Sequence, residues 1–283
     1  MSTGFLKQDA RGSGRRLTRR DRARRPVRLA AVGAAVVLGA GVGGHLVAPW
    51  LGPLIALAVG VAYVTAVLTR DLGILRIAAS EQRALETLLP LRADHVYPLN
   101  PATLPPENAL TLVQQVVYRR PTRVLEFGSG VSTLLMCRAL QQIGGDGRTI
   151  HSLEHDAYWR GDSQRMIDAA GLQHIATIHH APLVETAGLP VRWYDLSKLP
   201  ADAGPFDLVL VDGPEGGSRD PLARYGGFAA VRDRLAPGAV ILLDDGLREG
   251  ETEIARRWQA LEPRLRATFH RSHNGMWVFE LPA

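Results

Sequence analysis

The chain has 283 residues, 46% of them hydrophobic, with a formal net charge of +5 and one cysteine. That length allows one large or two modest domains, and a lone cysteine excludes an internal disulfide. The charge excludes a basic nucleic-acid-binding domain. Residues 1–28 alone carry ten Lys/Arg against Asp9 and Asp21, a net +8, which leaves −3 for everything after them.

Residues 1–28 read as a basic disordered tail. From Leu29 to Thr69 no Lys, Arg, Asp or Glu occurs, and His45 is the only side chain that ionises near neutral pH. A bilayer crossing takes about 20 apolar residues, so this run is long enough for two. Pro49-Trp50-Leu51-Gly52-Pro53 supplies a turn near its middle. The expectation is a transmembrane hairpin over 29–69, with spans of about 28–48 and 51–69. The competing reading is a cleaved signal peptide followed by one anchor; Val47-Ala48-Pro49 makes a poor cleavage site. Basic residues flank both ends, in the tail and at Arg70 and Arg76, so the positive-inside rule puts both termini in the cytoplasm. The chain is expected in the cell membrane as a multi-pass protein with its soluble domain cytoplasmic. Gly39 and Gly43 form a G-x-x-x-G pair, which a segment this rich in glycine also produces by chance. Residues 70–106 read as an amphipathic helix ended by Pro90, then a proline-marked linker.

The soluble domain is expected over 107–283. Glu107–Arg119 has helical spacing. Val124-Leu125 opens a buried strand that runs into Glu126, Gly128 and Gly130, and a helix follows over about 131–143. Strand, glycine turn and helix open a nucleotide-binding α/β unit. The dinucleotide pattern G-x-G-x-x-G/A fails at Thr133. A carboxylate at Glu126 facing the ligand would repel a pyrophosphate and suit a cation. Thr149–Glu154 reads as a second strand, whose terminal acid lies 24 residues after Gly130 and suits the two hydroxyls of a ribose. A helix over about 157–170 precedes a third strand, Ala176–His180. The apolar run ending at Asp212 suits a central strand buried on both faces. A helix over about 221–235, a strand Ala239–Leu243 ending in Asp244-Asp245, a helix Glu251–Leu261 and two closing strands, Arg264–Arg271 and Gly275–Leu281, complete the pattern.

The pieces V-L-E-F-G-S-G, S-L-E-H-D, F-D-L-V-L-V-D-G-P and G-A-V-I-L-L-D-D resemble the class I S-adenosylmethionine-dependent methyltransferases. The resemblance covers about 107–283. It implies a seven-stranded Rossmann-like sheet with helices on both faces and the last strand antiparallel. It further implies that Glu126, Gly128, Ser129, Gly130 and Ser132 contact the methionine half of the cofactor, that Glu154 holds the ribose with His155 beside the adenosine, and that Asp212 closes the crevice near the transferring methyl. The acid that many family members carry after the third strand is missing from Ala181-Pro182-Leu183. Asp212, Asp244 and Asp245 resemble the Mg²⁺ site of metal-dependent O-methyltransferases, with Asp-Asp where those have Asp-Asn; the other reading is that Asp244 or Asp245 caps the following helix segment or faces solvent. Asp212, Asp244 and His180 are the candidate catalytic groups, although a structural role suits His180 as well. Trp193-Tyr194 suit either an acceptor wall or the packing of an insertion. The implied activity is methyl transfer to oxygen of a small or lipid-linked acceptor at the membrane. Alternatives are an aminopropyltransferase on the same fold and a non-enzymatic cofactor-binding membrane module.

Overall fold

The computed structural model describes residues 35–40, 42–43, 45–46, 48–92, 103–216 and 220–283. The chain divides into two units, Met1–Leu75 and Arg76–Ala283. In the first, the described residues between 35 and 46 are helical, and helix α1 (Leu51–Arg92) begins. Among the described residues one helix, Leu51–Leu91, is long and apolar enough to cross a membrane. Leu54, Leu57, Val61, Val64 and Leu68 stand more than half exposed along it. The hairpin expectation is therefore corrected to one candidate span among the described residues. Of the other expected span, residues 28–34, 41, 44 and 47 lie outside them. So do the basic tail and most of the proline-marked linker. Pro90 does not end the helix; it sits in the last turn of a helix that closes at Arg92.

The second unit is built on a seven-stranded sheet. Its strands are β1 (Arg123–Phe127), β2 (Thr149–Glu154), β3 (Ala176–His180), β6 (Phe206–Val211), β7 (Leu235–Asp244), β8 (Arg266–His270) and β9 (Met276–Glu280). The order across it is β3-β2-β1-β6-β7-β9-β8, with β9 antiparallel to both neighbours and the remaining pairs parallel. β1 lies between β2 and β6, which is why its sequence is apolar on both faces. Period-2 alternation then sorts side chains into two cores. Val124, Leu208, Leu210, Val240 and Leu242 join one; Leu125, Phe127, Val209, Val211, Ile241 and Leu243 join the other.

The first core is covered by α2 (Pro106–Arg119) and α3 (Val131–Ile143), with α4 (Ala157–Ala169) and the buried Leu88 and Leu91 of α1 adding to it. Pro106 and Glu107 open α2 and Arg119 lies in its last turn, the arrangement a helix dipole favours. The second core packs Trp193, Phe228 and Trp258 beneath α6 (Glu249–Leu261).

Two stretches differ from expectation. Residues 221–235 form no long helix, only α5 (Gly226–Ala229) and a 3₁₀ turn, Arg232–Arg234. Close packing explains this: a Cβ on Gly226 would lie 2.2 Å from the Trp193 ring, and one on Gly227 2.5 Å from Val211. The second difference is a two-stranded hairpin, β4 (Leu183–Val184) with β5 (Trp193–Tyr194). Trp193 and Tyr194 are buried in it and pack on Phe127, with ring centroids 4.8 and 5.4 Å away.

Candidate active site

The site forms where the parallel strands end. The β1 backbone leaves the sheet at Gly128, whose φ of +88° favours glycine. A Cβ there would also meet the Gly213 nitrogen at 3.0 Å. The Phe127 carbonyl accepts from both Asp212 N–H (3.0 Å) and Gly213 N–H (2.8 Å), which ties this turn to the end of β6.

Glu126, expected to face the ligand, lines neither of the two cavities described below. It falls on the α3 side of the sheet, two residues after Val124, and is fully buried. Ser132 Oγ donates to its Oε1 and Thr133 Oγ1 to its Oε2, both at 2.5 Å. Thr133 Oγ1 also accepts from Gly130 N–H at 3.1 Å. Glu126 thus braces the glycine loop from beneath. Burial lifts its pKa to about 7, against the pull of the Ser132 and Thr133 hydroxyls.

Glu154 ends β2 almost fully buried. Its Oε2 accepts from Ser129 N–H and its Oε1 from Asp156 N–H, both at 2.9 Å. His155 Nδ1 lies 3.1 Å from Oε1, an ion-pair distance that lacks hydrogen-bond alignment. Burial pushes the Glu154 carboxyl up, but His155 and the two backbone donors outweigh it and hold the group below its ordinary value. The same contact raises His155. Ser129 Oγ also donates to Ser163 Oγ of α4 at 2.9 Å.

These groups line a cavity of about 180 Å³. Gly128, Ser129, Gly130 and Ser132 form one side, Glu154 and His155 another, and Asp212 to Glu215 a third. Trp159, Met166 and Tyr194 supply apolar wall. A second cavity, of about 270 Å³, shares Thr103, Asp212 and Glu215 with the first.

The second cavity holds the acids expected to meet. Carboxylate oxygens of Asp212, Asp244 and Asp245 lie within 4.8 Å of one another. Burial, then each group's acidic neighbour, pushes Asp212 well up and Asp244 to about 6. Between them sits Arg224, 4% exposed. Its guanidinium donates to the carbonyls of Asp212 (2.6 Å), Pro214 (3.2 Å) and Asp244 (3.2 Å), and lies 3.0 Å from Asp245 Oδ2. Arg248 approaches the same oxygen at 2.8 Å. Asn274 Nδ2 donates to Asp245 Oδ1 at 3.0 Å. Fully buried Asn108 donates to Asp244 Oδ1 at 2.5 Å and to the Gly275 carbonyl at 3.1 Å, while its own Oδ1 accepts from Ser272 Oγ.

His180 is not brought to this site. β3 is an edge strand, three strand spacings or about 14 Å from β6. His180 is exposed there and lines neither cavity. Arg224, Asn108 and Asn274 lack a sequence motif; contacts across 20 to 136 residues place the first two.

This arrangement is that of a class I methyltransferase, and residues 125–246 match the family model Methyltransf_24, described as a methyltransferase domain. Residues 125–246 thus carry a methyltransferase domain on this Rossmann-like sheet. The solved S-adenosylhomocysteine-bound methyltransferase PaMTH1 of Podospora anserina is 16% identical, with a TM-score of 0.51 over 75% of this chain and 96% of its own. The O-methyltransferase TomG of Streptomyces achromogenes, involved in tomaymycin synthesis and solved with S-adenosylmethionine, is 18% identical, with a TM-score of 0.48 over 72% and 90%. An O-methyltransferase of Bacillus cereus, solved with S-adenosylhomocysteine, is also 18% identical, with a TM-score of 0.47 over 72% and 90%. No curated protein matches the chain. At 16% identity the likeness to PaMTH1 speaks to fold.

Proposed function

We propose that the chain moves a methyl group from S-adenosylmethionine to an oxygen of a small or lipid-linked acceptor. The observation that carries this reading is the joining of two cavities at Asp212. The first cavity fits the cofactor. Glu154 is held ionised where it can accept ribose hydroxyls. Bare backbone from Gly128 to Gly130 leaves room for a ligand to lie close, and a Cβ on Gly130 would meet nothing within 4 Å. Trp159 and Met166 offer the adenosyl group apolar surface. The bound cofactor supplies a carbon activated by its sulfonium, so the protein mainly aligns it with the incoming oxygen. Asp212, common to both cavities, is placed to take the proton an acceptor hydroxyl releases, with Asp244 behind it.

The acids also suit a divalent cation. Asp212, Asp244 and Asp245 offer hard oxygen donors, and Arg224 offsets one of their three charges. Burial and, after it, the acidic neighbours raise Asp212 and Asp244, and a bound Mg²⁺ would relieve the repulsion among them. Those three residues would hold it, and it would polarise an acceptor oxygen.

We place the enzyme at the cell membrane with residues 107–283 on the cytoplasmic side. The exposed apolar side chains of α1, its length and the Arg70 and Arg76 that follow its apolar part support this tether. Labelling of single cysteines introduced at either end of α1 tests the orientation in intact cells.

The direct test of the activity is calorimetry on the full chain in nanodiscs. S-adenosylmethionine should bind and NADH should not. Glu154→Ala should weaken cofactor binding at least about tenfold, the worth of a charge-assisted bond. No binding by the folded wild-type protein refutes the assignment.

A further inference from the structure

Resting on the reading that the second cavity receives the acceptor, we infer that the acceptor presents a neutral, polyhydroxylated face: a sugar or similar polyol, rather than an aromatic ring, an amine or an acid. The two cavities differ in chemistry. The first has Leu104, Val131, Trp159, Met166, Tyr194 and Pro214 in its wall. Among the described residues the second has no aliphatic or aromatic side chain larger than threonine. A catechol or phenylpropanoid ring entering it would desolvate the carboxylates and guanidinium groups without offering them partners, which is costly.

The wall has the pattern that hydroxyls match. Arg224 and Arg248 only donate, Asp212 and Asp244 in ionised form only accept, and Asn274 and Thr103 do both. A hydroxyl is both donor and acceptor, so a run of them can satisfy such a surface where a ring, an ammonium or a carboxylate cannot. An ammonium can reach Asp212 and Glu215 but offers no acceptor to Arg248, Asn274 or Thr103. Asp245 is already engaged at both oxygens by Arg224, Arg248 and Asn274, and Asp244 Oδ1 by Asn108. A phosphate or carboxylate is opposed by the acids themselves: Asp212, Asp244, Asp245 and Glu215 face two arginines, a formal excess of two negative charges that a divalent cation would balance without making the wall positive. Arg248, 44% exposed, forms the outer part of this wall and is open to a ligand.

The step balances without a further reactant. The acceptor C–O–H loses its proton to a cavity carboxylate, the oxygen lone pair forms the new O–CH₃ bond, and the S–CH₃ pair remains on neutral S-adenosylhomocysteine.

The test uses the full chain in nanodiscs, loaded with S-adenosylhomocysteine and Mg²⁺, and saturation-transfer NMR. Probes are the methyl glycosides of glucose, mannose and galactose, octyl glucoside as a membrane-partitioning arm, catechol and spermidine. Cofactor binding measured first, by calorimetry, reports separately on the methyltransferase reading. We expect saturation on ring protons of at least one glycoside. Transfer to octyl glucoside alone would place the source at the membrane, and transfer to a methyl glycoside would place it in solution. Arg248→Leu and Asn274→Leu should each cut the transfer about tenfold while S-adenosylhomocysteine still binds, because neither residue lines the first cavity. Transfer confined to catechol or spermidine, or transfer to none of the probes by cofactor-loaded protein, overturns the inference.

Discussion

Replacing Glu126 by glutamine should change how the stability of the domain depends on pH. The native carboxyl is fully buried and titrates near 7, against an ordinary 4.5. The native state therefore holds this proton more tightly than the unfolded chain does. Below pH 4.5 both states are protonated and the residue costs nothing. As pH rises from 4.5 to 7 the unfolded chain releases its proton first, so native stability falls, and above 7 the loss is complete. A shift of 2.5 units at about 1.4 kcal/mol each amounts to about 3 kcal/mol. Glutamine keeps the shape and cannot titrate. Urea unfolding of both proteins, followed by tryptophan fluorescence at pH 5 and pH 8, gives two stability differences. Asp212 and Asp244 titrate in both proteins and cancel in those differences. The glutamine variant should gain about 2.5 kcal/mol relative to wild type between the two pH values, because part of the loss has already occurred at pH 5. An unchanged difference would refute the account of Glu126 as a buried brace.

Gly226→Ala should destabilise the domain by about 2 kcal/mol, since its new methyl would overlap the Trp193 ring, and denaturant titration measures this. Cys137 is fully buried, and burial pushes its thiol far above the ordinary range, so iodoacetamide should alkylate it only in denaturant, as mass spectrometry would show. Asn108→Ala removes both donors that fix Asp244 Oδ1 and Gly275. It should cost about 2 kcal/mol in stability and weaken Mn²⁺ binding followed by electron paramagnetic resonance, with cofactor affinity retained.

The parts of the fold that local pattern specifies were legible. The strand and helix around the glycine loop, Thr149–Glu154 and Ala176–His180 lie where the sequence expectation put them, because alternation, turn residues and apolar length all act within a few residues. The meeting of Asp212, Asp244 and Asp245 was legible too, since all three end adjacent parallel strands. The burial of Glu126 was not legible. Its motif position suggested a ligand, while the strand's own period of two puts it under α3. The β4–β5 hairpin and Arg224 were not legible. The hairpin depends on Trp193 finding Phe127 and Gly226 across the fold, and Arg224 acquires its role from carbonyls on two different strands. Residues 221–235 carry helical spacing, but the two glycines yield there to tertiary packing.

Gly213 has a neighbour whose effect reaches beyond this molecule. A Cβ on it would stand 2.2 Å from the Tyr194 hydroxyl and 3.1 Å from the Gly128 Cα. Three positions 85 residues apart at their extremes, 128, 194 and 213, thus share one small volume. Evolutionary drift at any of them is constrained by the other two. A lineage that trades the tyrosine for phenylalanine frees only the hydroxyl's space, and one that trades it for a small residue opens room at 213. In homologous chains these sites should therefore change as a set, so that a bulkier residue at 213 appears only beside a shortened partner at 194.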